Sequence, residues 1–230
     1  MKWIDRSDLR IPYYTFENIE NTHAAVCAFT TRHYRKNGEW NDFFQPVLRP
    51  DSDLCEVAAC NAMLAEQFGT DTGHLISSAQ KHTANIYQVT KADLESADRR
   101  RRPDGVDGMI TNLPGIMLQT FGADCPSVYL VDPVCKAIGL CHSGRKGTQY
   151  GIAGYALAAL ADAYGTDPKD VEAAISPGIC ADCYEVGDDV AKDFEQDISR
   201  ILPDPADRNR IISKKNGRFH LDLNQAVFLT

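Results

Sequence analysis

The residues of this chain that could do chemistry together are Cys125, His142 and the basic turn Gly144-Arg145-Lys146-Gly147. Cys125 precedes a short apolar run and His142 ends the next one, with an Asp132-Pro133 turn between the two runs. Two strands joined in this way are neighbours in a sheet, so we expect the thiol and the imidazole at the same end of it. Each residue alone is also compatible with an ordinary core position.

The basic turn adds a candidate anion site next to this pair. It leads from the strand into an Ala-rich segment, which predicts a helix beginning near Thr148. Free backbone N–H groups at the start of a helix point at an anion, and the Arg145 and Lys146 side chains add positive charge there. Gly144, Arg145, Lys146 and Gly147 are therefore predicted to bind phosphate or substrate.

A second histidine lies at a bend between two predicted strands. The segment from Leu75 to Val89 predicts two short strands with residues 80–83 between them, and His82 lies in this bend. A histidine at a strand end can face a cleft, but many histidines are structural, so the residues alone leave both roles open for His82.

The elements that must position these residues alternate between helices and strands. An α+β class follows, with mixed β-sheets packed between α-helices in a single domain. The predicted strands are residues 23–32, 107–112 and 115–120, with a further strand that starts at Ala173 and runs into an irregular loop, and residues 33–50 form a long loop that could cover a site. One predicted helix spans residues 53–68, with its N-cap within Asp51 to Asp53, and a second spans residues 150–164, is apolar nearly all round and therefore expected to be buried, and is closed by Gly165. Two further helices are predicted, one starting at Asp167-Pro168 and the amphipathic 188–198.

Composition restricts the class of partner. The 230 residues carry a net charge of -8 with a pI near 5.2, which argues against a general nucleic-acid or membrane-surface binder. The arginine run at residues 99–102, flanked by acids, favours a solvated loop over a phosphate clamp. No apolar leader or membrane-spanning run is present in the sequence, so we expect a cytoplasmic protein.

Cysteine usage agrees with a reducing compartment. In such a compartment the eight cysteines are expected to be thiols or metal ligands, not a disulfide framework. Cys180 and Cys183 have Cys-x-x-Cys spacing, but no second pair follows, which argues against a four-cysteine structural zinc site.

Taken in order, the motifs of this chain resemble those of the laccase-domain, or polyphenol-oxidase-like, family. The resemblance covers roughly residues 20 to 225, and its three central motifs are specific. The matching motifs are Gln80-Lys81-His82, Asp107-Gly108-Met109-Ile110-Thr111, Ala123-Asp124-Cys125, Asp132-Pro133, His142-Ser143-Gly144-Arg145-Lys146-Gly147, Pro177-Gly178-Ile179, Cys183-Tyr184-Glu185-Val186-Gly187 and Leu221-Asp222-Leu223.

The resemblance implies a zinc-dependent purine nucleoside phosphorylase with adenosine deaminase activity and a cysteine-hydrolase-like fold. The metal ligands that it implies are His82, Cys125 and His142, and three protein ligands leave the open position of a catalytic zinc site. Gln80 is carried over as a substrate-binding residue. Asp124 is a candidate either for an acid–base role or as the carboxylate partner of a ligand histidine, and equally for a turn residue.

The implied partners are purine nucleosides and phosphate, with no nucleic acid or membrane, in a monomer or homodimer.

Three departures from the family pattern bear on substrate binding. Arg145-Lys146 replaces Trp-Arg, Thr83 replaces Gly, and the Gly-Gly-Val-Ser type of loop is missing after Arg32. Lys146 cannot reproduce a bidentate guanidinium. Family members also continue past Leu221-Asp222-Leu223, so we expect residues 1–230 to form a single domain that lacks the family's C-terminal segment.

Three other functions compete with this interpretation. A metal-free cysteine hydrolase would use Cys125 as nucleophile and His142 as base. A binding module would keep the fold around a degraded site. A multicopper oxidase, suggested by the older family name, is disfavoured because its sites need many histidines, usually in His-x-His pairs, and this chain has six histidines and no such pair.

Overall fold

The computed structural model describes residues 2–42, 44–47, 51–95 and 103–230 and confirms the α+β class. Its strands are β1 (Trp3–Arg6), β2 (Tyr13–Phe16), β3 (Phe29–Thr30), β4 (Tyr34–Lys36), β5 (Glu39–Asn41), β6 (Leu75–Ser77), β7 (Ile86–Gln88), β8 (Gly108–Thr111), β9 (Met117–Gln119), β10 (Ser127–Asp132), β11 (Ala137–His142), β12 (Glu172–Ile175), β13 (Glu185–Val186), β14 (Ile212–Lys215) and β15 (Arg218–Leu221). Its helices are α1 (Glu17–Glu20), α2 (Leu54–Gln67), α3 (Lys91–Glu95), α4 (Arg145–Gln149), α5 (Ile152–Tyr164), α6 (Asp188–Ile198), α7 (Pro205–Ile211) and α8 (Leu223–Leu229).

A five-stranded mixed sheet in the order β12-β10-β11-β8-β7 forms the centre of the molecule. β10 and β11 make the predicted antiparallel hairpin, with Ser127 opposite His142. β8 is antiparallel to β11, with Gly108 opposite Cys141, while β7 is parallel to β8. The end of β11 therefore lies beside the starts of β10, β8 and β7, so residues that precede those three strands gather around His142.

The helix α5 covers this sheet with one apolar stripe. Ile152, Ala156 and Leu160, four residues apart, are fully buried against sheet residues such as Ile110 and Val128. The prediction that this helix is buried holds for one face only, because Tyr155 is 57% exposed on the opposite face. The predicted end is confirmed, since Gly165 adopts the left-handed conformation with its N–H bound to the carbonyl of Ala161 at 2.8 Å.

The predicted start of this helix also needs correction. Gly151 has a φ of 76° and separates the five-residue α4 from α5. The long Ala-rich helix therefore does not begin near Thr148, and its dipole does not act at Gly144. Only the short α4 begins there.

Two other predicted helices are confirmed, and a third is shorter than predicted. The Asp53 side chain caps α2 by accepting the N–H of Cys55 at 2.8 Å. α6 buries Ala191, Phe194 and Ile198, and the last two lie in a hydrophobic cluster that includes residues of the sheet β13-β15-β14. The helix predicted at Asp167-Pro168 is a single 3-10 turn, Pro168–Asp170, because the chain enters β12 directly after it.

The N-terminal part differs most from the sequence prediction. Within residues 23–32 only β3 is a strand, because His23 has a left-handed backbone and Val26 is 69% exposed. The loop predicted for residues 33–50 contains the β4–β5 hairpin among its described residues. The arginine run at 99–102 lies outside the described residues.

All eight cysteines carry free thiols, as the cysteine usage predicted. Among the helices that the structure describes, none combines the length and the apolar character required to cross a membrane.

Candidate metal centre

The structure brings His82, Cys125 and His142 together at the end of the central sheet. One ligand atom from each residue lies within 4.8 Å of those of the other two. The imidazole rings meet edge to face, with centroids 5.0 Å apart and an interplanar angle of 82°. His142 ends β11, Cys125 lies two residues before β10 and His82 four residues before β7, so the strand pairing described above causes this convergence.

The carboxylate of Asp107 holds His142 in place. Asp107 is fully buried, and its Oδ1 lies 2.8 Å from Nδ1 of His142. Burial raises the pKa of Asp107, but hydrogen bonds from His142, Thr83 and Lys81 outweigh it and lower that pKa to about 2. An ionised carboxylate can only accept hydrogen bonds, so Nδ1 of His142 is the donor and Nε2 is left for a ligand.

The same carboxylate fixes the bend that carries His82. Asp107 accepts the backbone N–H groups of Lys81 at 3.0 Å, His82 at 3.0 Å and Thr83 at 2.8 Å, and the Thr83 hydroxyl at 3.0 Å. His82 has a φ of 58°, a left-handed conformation that costs a non-glycine residue about 1–2 kcal/mol. The hydrogen bonds to Asp107 offset this cost and aim the His82 ring at the cluster.

The imidazoles and the thiol influence one another electrostatically. Burial lowers the pKa of His142, but its hydrogen bonds to Asp107 and Cys125 raise that pKa to about 9. The pKa of His82 is lowered by burial and by the neighbouring His142. His142 is therefore the histidine that interacts with both the thiol and the carboxylate.

Gly144 packs directly against the His82 ring and close to Cys125. A Cβ at this position would clash with Nδ1 of His82 and lie 3.3 Å from Sγ of Cys125. The φ of Gly144 is -67°, which any residue can adopt. Glycine is therefore required here for space and not for backbone conformation.

Gln80 connects the two loops that carry the candidate ligands. Its amide nitrogen donates to the carbonyl of Phe121 at 2.8 Å, and its amide oxygen accepts the Phe121 N–H at 2.8 Å. These contacts tie the bend at residues 80–83 to the loop that leads to Cys125. A contact of Gln80 with substrate stays a prediction.

Asp124 is not the carboxylate partner of the histidine. Its side chain is exposed, and its backbone carbonyl accepts the N–H of Ile179 at 2.7 Å. Asp107 takes that role, and an acid–base role of Asp124 stays a prediction. Asp107 was available to sequence reasoning, because an acid just before the strand that pairs with β11 lies beside His142 once β8 and β11 are antiparallel.

The basic turn lies directly after the cluster. Arg145 is half-buried, and its guanidinium donates to Oε1 of Gln149 at 3.0 Å, while Gln149 donates to Asp197 of α6 at 2.6 Å. Lys146 is exposed, and Gly147 is buried against the carbonyl of Thr83. The turn therefore presents one guanidinium held by Gln149 and one exposed ammonium group within four residues of His142.

A cavity of about 1770 Å³ borders the neighbouring loop. Its described lining includes Gly122 and Ala123 but none of the three candidate ligands. The cavity and the cluster are therefore distinct, although Asp124 alone separates Ala123 from Cys125 in the sequence.

Comparison with known proteins identifies similar chains. The family model described as "Multi-copper polyphenol oxidoreductase laccase" matches residues 26–230. The chain is 31% identical over 207 residues to "Purine nucleoside phosphorylase YlmD" of Geobacillus stearothermophilus, covering 88% of this chain and 73% of that protein. It is 30% identical over 176 residues to "Adenosine deaminase RL5" of an unknown prokaryotic organism, covering 76% and 65% of the two chains.

A solved structure also resembles this one. The crystal structure of the hypothetical protein YfiH from Bacillus licheniformis superposes with a TM-score of 0.81 at 26% identity. The superposition covers 97% of this chain and 81% of that one.

Proposed function

Because the chain belongs to the multi-copper polyphenol oxidoreductase laccase family, we propose that it is a zinc-dependent purine nucleoside phosphorylase with adenosine deaminase activity. Adenosine, inosine, guanosine or methylthioadenosine would be cleaved by phosphate to the free base and a ribose 1-phosphate. The observation that carries this proposal is the convergence of His82, Cys125 and His142 in a chain whose relatives bear those two names.

The donor set of the cluster fits zinc. Zinc takes one sulfur and two imidazole nitrogens with bonds of about 2.0–2.3 Å, which puts these ligand atoms of a tetrahedral site about 3.3–3.6 Å apart. The 4.8 Å limit of the present cluster requires only a small inward movement of the side chains.

A blue-copper site would use a similar set of ligands with a methionine as weak axial ligand. The described methionines lie in hydrophobic clusters instead, with Met63 of α2 and Met117 of β9 in one cluster and Met109 of β8 in another. The donor set therefore favours zinc over an electron-transfer copper.

When bound, zinc would supply a Lewis acid with one open position for water or substrate. The residues of the chain have separate tasks in this proposal. Asp107 keeps the proton of His142 on Nδ1 and fixes the direction of both histidines. Gly144, which has no side chain, gives the His82 ring room beside Cys125.

Arg145 and Lys146 are the proposed phosphate-binding residues. Both carry positive charge directly after the cluster, and the contact with Gln149 orients the Arg145 guanidinium. Because α4 has only five residues, the side-chain charges and not a helix dipole would attract the phosphate. The oriented phosphate would then attack the anomeric carbon of the ribose.

The metal-free cysteine hydrolase remains the second candidate, because Cys125, His142 and Asp107 lie in the order of a nucleophile, a base and an orienting acid. It gives His82 no task, and this separates the two functions. Asparagine tolerates a left-handed backbone, so His82→Asn removes the imidazole while keeping the bend.

The test measures zinc content and turnover of adenosine, with and without phosphate, for the purified chain and for His82→Asn, with the exposed His74→Asn as the control. The proposal expects adenine that requires phosphate and inosine that does not, both lost with the zinc in His82→Asn alone. Full activity of a zinc-free His82→Asn protein would favour the hydrolase instead. Bound zinc and bound nucleoside without any product would favour the binding module.

A further inference from the structure

Cys180 and Cys183 form a pair that the proposed function does not use. They lie in the loop between β12 and β13, and both are exposed. The other exposed cysteine of the chain is Cys55, at the start of α2. Cys180 and Cys183 are therefore two exposed cysteines three positions apart, whereas Cys55 has no exposed cysteine near it in the sequence.

The backbone between the two cysteines is a tight turn. The N–H of Cys183 donates to the carbonyl of Cys180 at 3.0 Å, and the N–H of Tyr184 donates to the same carbonyl at 3.1 Å. A turn closed by such a bond keeps the Cα atoms of its first and fourth residues within about 7 Å. A disulfide requires a Cα separation of about 4.4–6.8 Å, so the turn already has the spacing of a cross-linked pair.

The two sulfur atoms are not equivalent. The Cys183 thiol and the nearby backbone N–H groups of Cys183 and Asp182 favour the thiolate of Cys180 and lower its pKa. The pairing with Cys180 raises the pKa of Cys183. The negative charge of Asp182 opposes the effect on Cys180, but Asp182 is itself paired with Lys215.

Two hydrogen bonds attach the turn to the rest of the protein. Before it, the N–H of Ile179 is bound to the carbonyl of Asp124, and within it the carbonyl of Ala181 accepts from Nδ1 of His220 at 3.0 Å. These contacts hold the backbone of the turn against the body of the protein. The backbone of the turn is therefore held in place while both cysteines are exposed to solvent.

We propose that Cys180 and Cys183 are a thiol–disulfide exchange site that reacts with low-molecular-weight disulfides. The Cys180 thiolate attacks one sulfur of the disulfide, and the other sulfur leaves as a thiolate. Cys183 then loses its proton and attacks the Cys180 sulfur of the mixed disulfide, which expels the second thiolate. The protein loses two electrons and two protons, and the small disulfide is reduced to two thiols.

The test exposes the reduced, metal-supplied full chain to glutathione disulfide, stops the reaction with iodoacetamide and maps the modified peptides. The wild-type chain is expected to form a Cys180–Cys183 disulfide before Cys55 is modified, and dithiothreitol is expected to reverse it. Cys183→Ser is expected to accumulate glutathione on Cys180, because the attacking thiol that completes the exchange is gone.

Cys180→Ser leaves Cys183 without a second thiol in the turn. It is expected to form no intramolecular link and to hold any glutathione as a mixed disulfide on Cys183. Cys55→Ser is the control and should react as the wild type does. A wild-type chain that shows no Cys180–Cys183 link in excess glutathione disulfide, or a Cys180 that reacts no faster than Cys55, would overturn the proposal.

Discussion

Nδ1 of His142 lies 2.8 Å from the Asp107 carboxylate, and that carboxylate also accepts three backbone N–H groups from the bend that carries His82. One buried acid therefore orients both candidate ligand histidines. It belongs to neither loop, since it lies immediately before β8.

Asp107→Asn should weaken zinc binding about 10- to 100-fold, the usual cost of losing the acid behind a ligand histidine. The asparagine amide has one accepting oxygen, and its NH₂ group faces N–H donors, so the bend and His142 lose their common acceptor. A competition titration against a chromogenic chelator measures the affinity. Asp104→Asn, which removes an exposed acid paired with Lys81, is the control and should bind zinc as the wild type does. Equal affinities of all three proteins would contradict the role of Asp107.

Gly144→Ala should lower zinc affinity about tenfold or more. The new methyl group overlaps the His82 ring and crowds Sγ of Cys125, and overpacking of this kind costs about 1–3 kcal/mol. Metal analysis after dialysis against limiting zinc provides the measurement.

Gly154→Ala is the matched control for that substitution. A Cβ at Gly154 meets no heavy atom within 4 Å, and the residue lies on the exposed side of α5. This variant should keep its zinc and gain up to about 1 kcal/mol in the free energy of unfolding, since alanine is the better helix former. The idea of a steric requirement fails if both variants retain zinc equally.

Arg145→Ala should raise the KM for phosphate by about 10- to 100-fold, which corresponds to the loss of about 1.5–3 kcal/mol from hydrogen bonds to a charged group. Deamination of adenosine needs no phosphate, so its rate should stay near that of the wild type. Initial rates at varied phosphate concentration measure both activities. Arg210→Ala, an exposed arginine paired with Asp207, is the control. An unchanged KM for phosphate would remove Arg145 from the proposed phosphate site.

Leu160→Ala should lower the free energy of unfolding by about 2–5 kcal/mol, because the Leu160 side chain is fully buried between α5 and the central sheet. Urea denaturation followed by circular dichroism measures this change. Leu54→Ala, at a leucine that is 65% exposed, should change it by no more than about 0.5 kcal/mol. Similar losses in the two variants would mean that α5 does not form the main core.

Local sequence patterns predicted the elements next to the site well. The segment from Asp51 to Asp53 indicated the start of α2, Gly165 marked the end of α5, and the apolar runs around Asp132-Pro133 predicted the β10–β11 hairpin. These features depend on capping groups, turn residues and apolar runs within a few residues, which the sequence displays directly. The interruption at Gly151 escaped prediction, because glycine in a helical pattern is compatible both with continuation and with a break.

The sequence by itself determined that Cys125 and His142 lie at one end of two neighbouring strands, because a short turn between antiparallel strands leaves few other registers. The family motifs added His82 as a ligand. Only the tertiary structure decided which acid supports the histidines. The choice of Asp107 over Asp124 depends on the pairing of β8 with both β11 and β7, and such pairing between distant segments is selected by packing of the whole sheet and not by any local pattern.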